Sequence, residues 1–263
     1  SDAVIDALAN SVVHDKFWGV SAEAAKSLAA VRTSYAYEKL KDCLTVKHPK
    51  VRRAAVKAIG EFKKEESLDL INPLLHEDES YFVRSEAAMA IGKSKNKMAI
   101  SILKKATETT TFQNVVAQGA IAGLKEFTGD REIAEFIIEK SKYGNHHRIR
   151  EAAVFALGKF ADNSAVLDHL KTLLTDKWFR VRINACRALA DSELITAIPD
   201  LTWVMENDID NRVRRIAEEC INIIREMTKK PREVAQMREE IENLKSKNLE
   251  LLQKVDRLER ELR

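Results

Sequence analysis

The chain has 263 residues, of which 44 are Lys or Arg and 41 are Asp or Glu, for a formal charge of +3. So small an excess gives little support to nucleic acid or an anionic membrane as the main partner. With 32% charged and 6% aromatic residues the composition suits a well-solvated helical protein, and no run long and apolar enough for a membrane span is present.

Taken in order, the chain repeats itself. Aliphatic residues at Val20, Val51, Val83, Val116, Ile149, Val181 and Val213 each open a similar stretch, separated by 31, 32, 33, 33, 32 and 32 residues. Four positions on stands an alanine every time (Ala24, Ala55, Ala87, Ala120, Ala153, Ala185, Ala217), and eight positions on stands Leu or Ile. Position seven is always small: Ser27, Ala58, Ala90, Gly123, Ala156, Ala188, Cys220. Offsets of zero, four, seven and eight share one face of a helix, so each unit holds a helix with a thin buried stripe that a neighbour can approach closely. A fixed period near 32 predicts an all-α solenoid over residues 1–228, each unit burying its apolar face by stacking on the next.

The chain opens at Ser1 without an initiator Met, as an excised piece would. Residues 4–13 are predicted as the first helix of unit one. Its apolar Val4, Ile5, Leu8, Val12 and Val13 lack the polar outer face expected of a solenoid end, unless the helix is itself a terminal cap. The other first helices (A) are predicted over Tyr35–Leu44, Leu68–Leu75, Ile100–Ala106, Ile133–Lys140, Val166–Leu174 and Ile198–Met205. Each precedes a turn and the anchor helix (B). Gly60, Gly92 and Gly158, nine after their anchors, are expected to end helix B in a left-handed turn. Unit four departs from the plan, with the β-branched turn Glu108–Asn114.

Asp15, Asp78, Asp176 and Asp208 lie five before their anchors, placed to cap helix B or its turn. The residue after the anchor is Arg52, Arg84, Arg150, Arg182 or Arg214 in five units. Stacking would arrange these as an Asp/Arg ladder tying turn to turn by charge-assisted hydrogen bonds, or alternatively as a basic groove for phosphates or an acidic peptide. Trp18, Tyr81, Phe82, Trp178 and Phe179, with Phe17 and Trp203, fall at the same turns. They read either as a peptide-binding aromatic strip or as packing between units. Cys43, Cys186 and Cys220 sit at core phases without a CxxC pair, and are read as small packing residues in a reducing, cytoplasmic compartment. His146 and His147 are read as exposed turn residues pointing to different sides of the chain.

After Pro231 the material changes. Val234, Ile241, Asn248, Val255 and Leu262 take one seam of a heptad, and Met237, Leu244, Leu251 and Leu258 the other. That pattern predicts a coiled-coil helix over 229–263. Mostly β-branched residues at the first seam and Leu at the second favour a parallel two-stranded coil, with Asn248 setting register. The alternative is packing back on the solenoid or on another domain.

Units such as VRRAAVKAIG (Val51–Gly60) and VRSEAAMAIG (Val83–Gly92) resemble short HEAT-like repeats. Phe17-Trp18 and Tyr81-Phe82, set before the anchors in units one and three, further make the chain similar to the C-terminal helical region of aminopeptidase N-like zinc aminopeptidases. Ser21 departs from that likeness, standing where Arg is expected. Such a region covers the active site of an upstream catalytic domain and helps select peptides. The resemblance implies zinc in the parent enzyme and none in this chain. The HExxH that a zinc peptidase needs is absent, since none of the six histidines is four from another, and no catalytic or cofactor-binding residue is assigned. Two functions stand open: the non-catalytic rear part of an aminopeptidase, or a free-standing scaffold that binds a peptide or protein and dimerises through 231–263.

Overall fold

The structure is a computed structural model, and it describes residues 1–192 and 194–229 together with 237 and 244. The described residues are helical with connecting turns, and no helix among them is long and apolar enough to cross a membrane. The chain divides into two compact units, residues 1–192 and 193–263.

The first unit is a stack of six helix pairs. The A helices are α1 (Asp2–His14), α3 (Ser34–Asp42), α5 (Ser67–Glu77), α7 (Met98–Ala106), α9 (Arg131–Ser141) and α11 (Ser164–Thr172), and the B helices are α2 (Trp18–Val31), α4 (Pro49–Glu61), α6 (Tyr81–Lys93), α8 (Val115–Leu124), α10 (His147–Leu157) and α12 (Phe179–Asp191). Each B helix packs on the B helix of the next pair as well as on its own A helix, which is the α-solenoid expected from the repeat. The second unit holds α13 (Ile198–Asn207) and a helix over residues 211–229. Met237 and Leu244 are also helical; Asn248 and the remainder of the heptad segment lie outside the described residues.

The stripe positions explain the stacking. The seven alanines four after the anchor are at most 6% exposed, and the Leu or Ile eight after it at most 3%. The anchors Val51, Val83, Val116, Val181 and Val213 are buried too, whereas Val20 is 46% exposed, a departure from the stripe in the first pair. There Ser21 is buried and its hydroxyl donates to the Ser11 carbonyl at 3.2 Å. In pairs three and five Arg84 and Arg150 serve equivalent carbonyls, of Leu75 at 2.8 Å and Ser141 at 2.9 Å. All three cysteines are buried with free thiols, and burial pushes Cys43 up to about 11, aided by Asp42.

The glycines act differently from the expectation. Gly60, Gly92 and Gly158 do not terminate helix B in a left-handed turn. Gly60 and Gly92 lie inside their helices, and Gly158 has φ −55. The left-handed residues are Arg32 (φ 55), Lys63 (φ 53) and Lys95 (φ 60), each twelve after its anchor. The glycines instead let neighbouring B helices touch. A Cβ on Gly92 would lie 2.2 Å from the Gly123 carbonyl oxygen, and one on Gly60 2.8 Å from the Ala90 Cβ. On α8, Gly119 and Gly123 would meet the Ser85 and Ala88 carbonyls of α6 at 2.4 and 2.5 Å.

Candidate protein-interaction surface

Helix B opens in one of three ways. Where the sequence supplies Asp five before the anchor, its carboxylate does not cap the helix itself but closes the turn ahead of it, accepting from the backbone N–H two residues on. Asp15 takes Phe17 at 2.9 Å, and Asp78 and Asp176 take Ser80 and Trp178, both at 2.8 Å. In the second unit Asp208 takes Asp210 at 2.8 Å in the same way. In pairs two and five, which lack that Asp, a histidine three before the anchor serves as N-cap. The Nδ1 of His48 accepts from Lys50 N–H, and that of His146 from Arg148 N–H, both at 3.3 Å. Pair four has neither. Its turn bends through two consecutive left-handed residues, Gln113 and Asn114, with the Thr111 hydroxyl accepting from Val116 N–H at 3.3 Å.

The Asp/Arg rungs within the first unit follow from this. Arg52 grips Asp78 of the following pair with both arms, at 2.7 and 2.9 Å, while its other nitrogen donates to the carbonyls of Val46 and Lys47. Arg150 donates to Asp176 of the following pair and lies over the Tyr143 ring at 4.0 Å. Arg84 faces a turn with Thr111 where the acid would be, and its guanidinium donates to the Leu75 carbonyl of its own pair. Arg182 donates to the Asp176 carbonyl at 2.8 Å, and in the second unit Arg214 donates to Asn211. With side chains at 5% and 1% exposure, Arg150 and Asp176 are structural partners and offer no basic groove to a ligand.

A further set of ties joins the far ends of the B helices: Glu61 with Lys93 at 2.7 Å and Lys159 with Asp191 at 3.7 Å, each residue ten after its anchor. The Lys93 ammonium beside Glu61 holds its carboxyl below the usual carboxylate range.

The aromatic turn residues gather in three clusters, each bridging two pairs. Trp18 touches Phe17 at 5.6 Å and stacks on His48 at 6.1 Å and 11°, with the Lys50 ammonium 4.0 Å from its ring centre. Tyr81 lies 4.7 Å from Phe82 and 6.0 Å from Phe112. Trp178 rests on His147 at 4.9 Å and on Phe179 at 5.9 Å, and its indole N–H donates to Glu151 at 2.6 Å. The strip therefore packs between repeats and still shows rings outward: Phe17 is 59% exposed, Phe82 49% and Phe112 63%. Trp203, in the second unit, is also exposed. His146 and His147, expected to point apart, instead lie ring against ring at 4.2 Å, because His146 turns back to cap α10 while His147 leans on Trp178. Among the described residues no group of three or more His, Cys, Asp or Glu side chains is placed to share a metal ion.

Beside the first aromatic cluster, the B-helix face carries a groove of about 600 Å³ between α2 and α4, lined by Trp18, Gly19, Ala22, Ala54 and Ala58 among others. The glycine and alanines leave it open between the two helices, and its volume falls within the range of ligand-binding clefts.

On the A side, the Ser141 hydroxyl donates to the Ile138 carbonyl at 2.6 Å and lies 2.7 Å from His169 Nε2, so His169 is the donor in that contact, in the tautomer this geometry assigns. Burial holds the imidazole below the usual histidine value, with Lys142 acting in the same direction and Glu139 opposing it. The unfolded chain therefore takes up this proton before the folded one does. The contribution of His169 to stability is complete above about pH 6.5 and is lost as the pH falls below that value. Melting curves across that window should show the decline, and His169→Gln should flatten it; an unchanged slope in the variant would remove His169 as the cause.

These features define an α-helical repeat protein built of paired helices with a continuous B-helix face. A model of HEAT repeats matches residues 46–125 and 134–222, and the chain belongs to the HEAT-repeat family. No curated protein sequence matches it. Among solved structures the chain is similar to the complex of CpcE and CpcF of phycocyanin lyase from Nostoc sp. PCC7120, at 17% identity over 84% of this chain and 94% of that chain with a TM-score of 0.54. It is also similar to YibA of E. coli, at 18% identity over 84% of this chain and 94% of that chain with a TM-score of 0.51. At such identities the likeness is one of fold.

Proposed function

We propose that the chain is a non-catalytic scaffold that holds a peptide or protein on its B-helix face and the adjoining aromatic turns. The observation that carries this reading is the exposure of Trp18, which lines the α2–α4 groove, together with Phe17 packed against it. Exposed aromatic rings around a concave apolar surface are a common mark of protein interaction. The family, and a neighbour solved as a complex of two proteins, fit a protein partner. We place the chain in the cytoplasm, where three free buried cysteines stay reduced, and assign it no cofactor.

Two finer readings extend this one. The aromatic pairs Phe17-Trp18 and Tyr81-Phe82 at the N-termini of α2 and α6 favour the rear part of a zinc aminopeptidase, with zinc in an upstream domain and this chain shaping access to it. Recovering the native protein with an antibody to this segment tests that. A much larger band with chelator-sensitive cleavage of amino-acid amides would support the peptidase reading, and a band near the mass of this chain without that activity would end it.

Dimerisation through 231–263 is the second. Met237 and Leu244, seven apart on one seam of the heptad, are 61% and 60% exposed, as unpaired seam residues would be. Light scattering should give a dimer for the full chain and a monomer after removal of 229–263. Equal monomeric masses for both would exclude the coil.

A further inference from the structure

The α2–α4 groove has more structure than a scaffold reading requires. Its floor is alanine from both helices, and Ala22 and Ala54 are half-buried, so apolar carbon is left open to a ligand without a large side chain standing in the way. Trp18 closes one end and presents an edge with 38% of its surface exposed.

The charges on the rim are unequal in availability. Of the acids, Glu23 is paired with Lys26 at 2.9 Å and Glu61 with Lys93 at 2.7 Å. Of the bases, Lys26 is held by Glu23, while Lys57 and Arg32 make no ion pair among the described residues; Arg32 is the left-handed residue that ends α2, φ 55. Lys50, over the Trp18 ring, adds a third cation at the closed end without an acid partner among the described residues. Both acids and Lys26 are paired within the protein whereas Lys57 and Arg32 are not, so positive charge is left over around an apolar strip and favours an acidic ligand.

Resting on the scaffold reading, we propose that this groove binds an acidic amphipathic segment of a partner protein, with one or two aliphatic side chains seated on Ala22 and Ala54 against Trp18, and with flanking Asp or Glu side chains meeting Lys57, Arg32 and Lys50. The arrangement is that of an amphipathic segment laid in a groove, in which apolar anchors supply affinity and rim charges supply selectivity. A nucleic acid would present its charge without the aliphatic anchors and leaves the alanine floor uncovered.

The test uses the full chain and a phage-displayed library of random dodecapeptides. Selected peptides are measured by calorimetry against wild type, Ala54→Leu, which fills the groove, Lys57→Glu, which reverses the rim, and Lys105→Glu, an exposed cation on the A helix α7. Enriched sequences should carry Asp or Glu around one or two aliphatic residues. Ala54→Leu should weaken binding about 10-fold or more, Lys57→Glu about 3-fold or more with a loss of salt dependence, and Lys105→Glu not at all. Melting curves establish that each variant is folded, and Lys57, being exposed, keeps the test intact if Ala54→Leu is not. Recovery of no peptide, of neutral or basic sequences, or of peptides indifferent to both groove variants would overturn the assignment. If those outcomes occur while the chain still holds a protein partner on another part of its B-helix face, the groove assignment fails and the scaffold reading stands.

Discussion

Gly92→Ala should destabilise the protein by about 3 kcal/mol, even though alanine is the better helix former by about 1 kcal/mol. Gly92 lies within α6, where an added Cβ would stand 2.2 Å from the Gly123 carbonyl oxygen and 2.5 Å from its Cα. Both are backbone atoms of α8, so no side chain can swing aside and the two helices must separate. For a chain of this size the melting temperature should fall by roughly 6–12 °C. The sign is the informative part: without the close approach, the same substitution would stabilise through helix propensity. Gly129→Ala makes a useful contrast, since nothing lies within 4 Å of its Cβ position and its cost arises from φ +84 alone. A neutral or stabilising Gly92→Ala would show that α6 and α8 are not in contact at this point.

Arg150→Ala should cost about 3–5 kcal/mol, the usual consequence of leaving one partner of a buried pair alone. The guanidinium donates to Asp176 and to the Ser141 carbonyl and lies on the Tyr143 ring, with a side chain 5% exposed. Removing it strands a carboxylate that is 1% exposed. Thermal or urea unfolding reads the loss. The pair is a matter of geometry more than of net energy, so the double variant Arg150→Met, Asp176→Leu should recover much of the stability lost by either single change. A loss below about 1 kcal/mol for Arg150→Ala would place the pair among ordinary surface ion pairs.

Gly92 and Arg150 differ in how far a repeat sequence discloses their roles. Helix pairing, the buried alanine of each stripe and the small residue at position seven follow from offsets on a helix, and residues such as Ala120 and Leu124 stand fully buried where the periodicity puts them. The purpose of a glycine does not follow from its offset. Gly92 falls near a helix end, where a left-handed turn is the common use, but close packing on Gly123 depends on what faces it across the stack, which is a fact about another repeat. The left-handed position falls three residues later and is filled by Arg32, Lys63 or Lys95, none of which advertises it. His48 and His146 stand at one offset in the two pairs that lack the turn aspartate, and that complementarity was open to reading from the sequence. Regularities at offset ten, which unite Glu61 with Lys93 and Lys159 with Asp191, were likewise present but change sign from unit to unit. The groove was beyond such reading, because a cavity between α2 and α4 depends on how far apart two helices lie.

On the proposed function, the chain works by holding a protein on its B-helix face. Hydrogen exchange, measured by mass spectrometry on the chain recovered with its partner from the native source and again after the partner is removed, tests it most directly. Protection gathered in α2, α4 and the turns around Trp18 and Tyr81 is the result a scaffold of this kind predicts. Protection confined to the A helices, or a chain that is recovered without any partner, would contradict it.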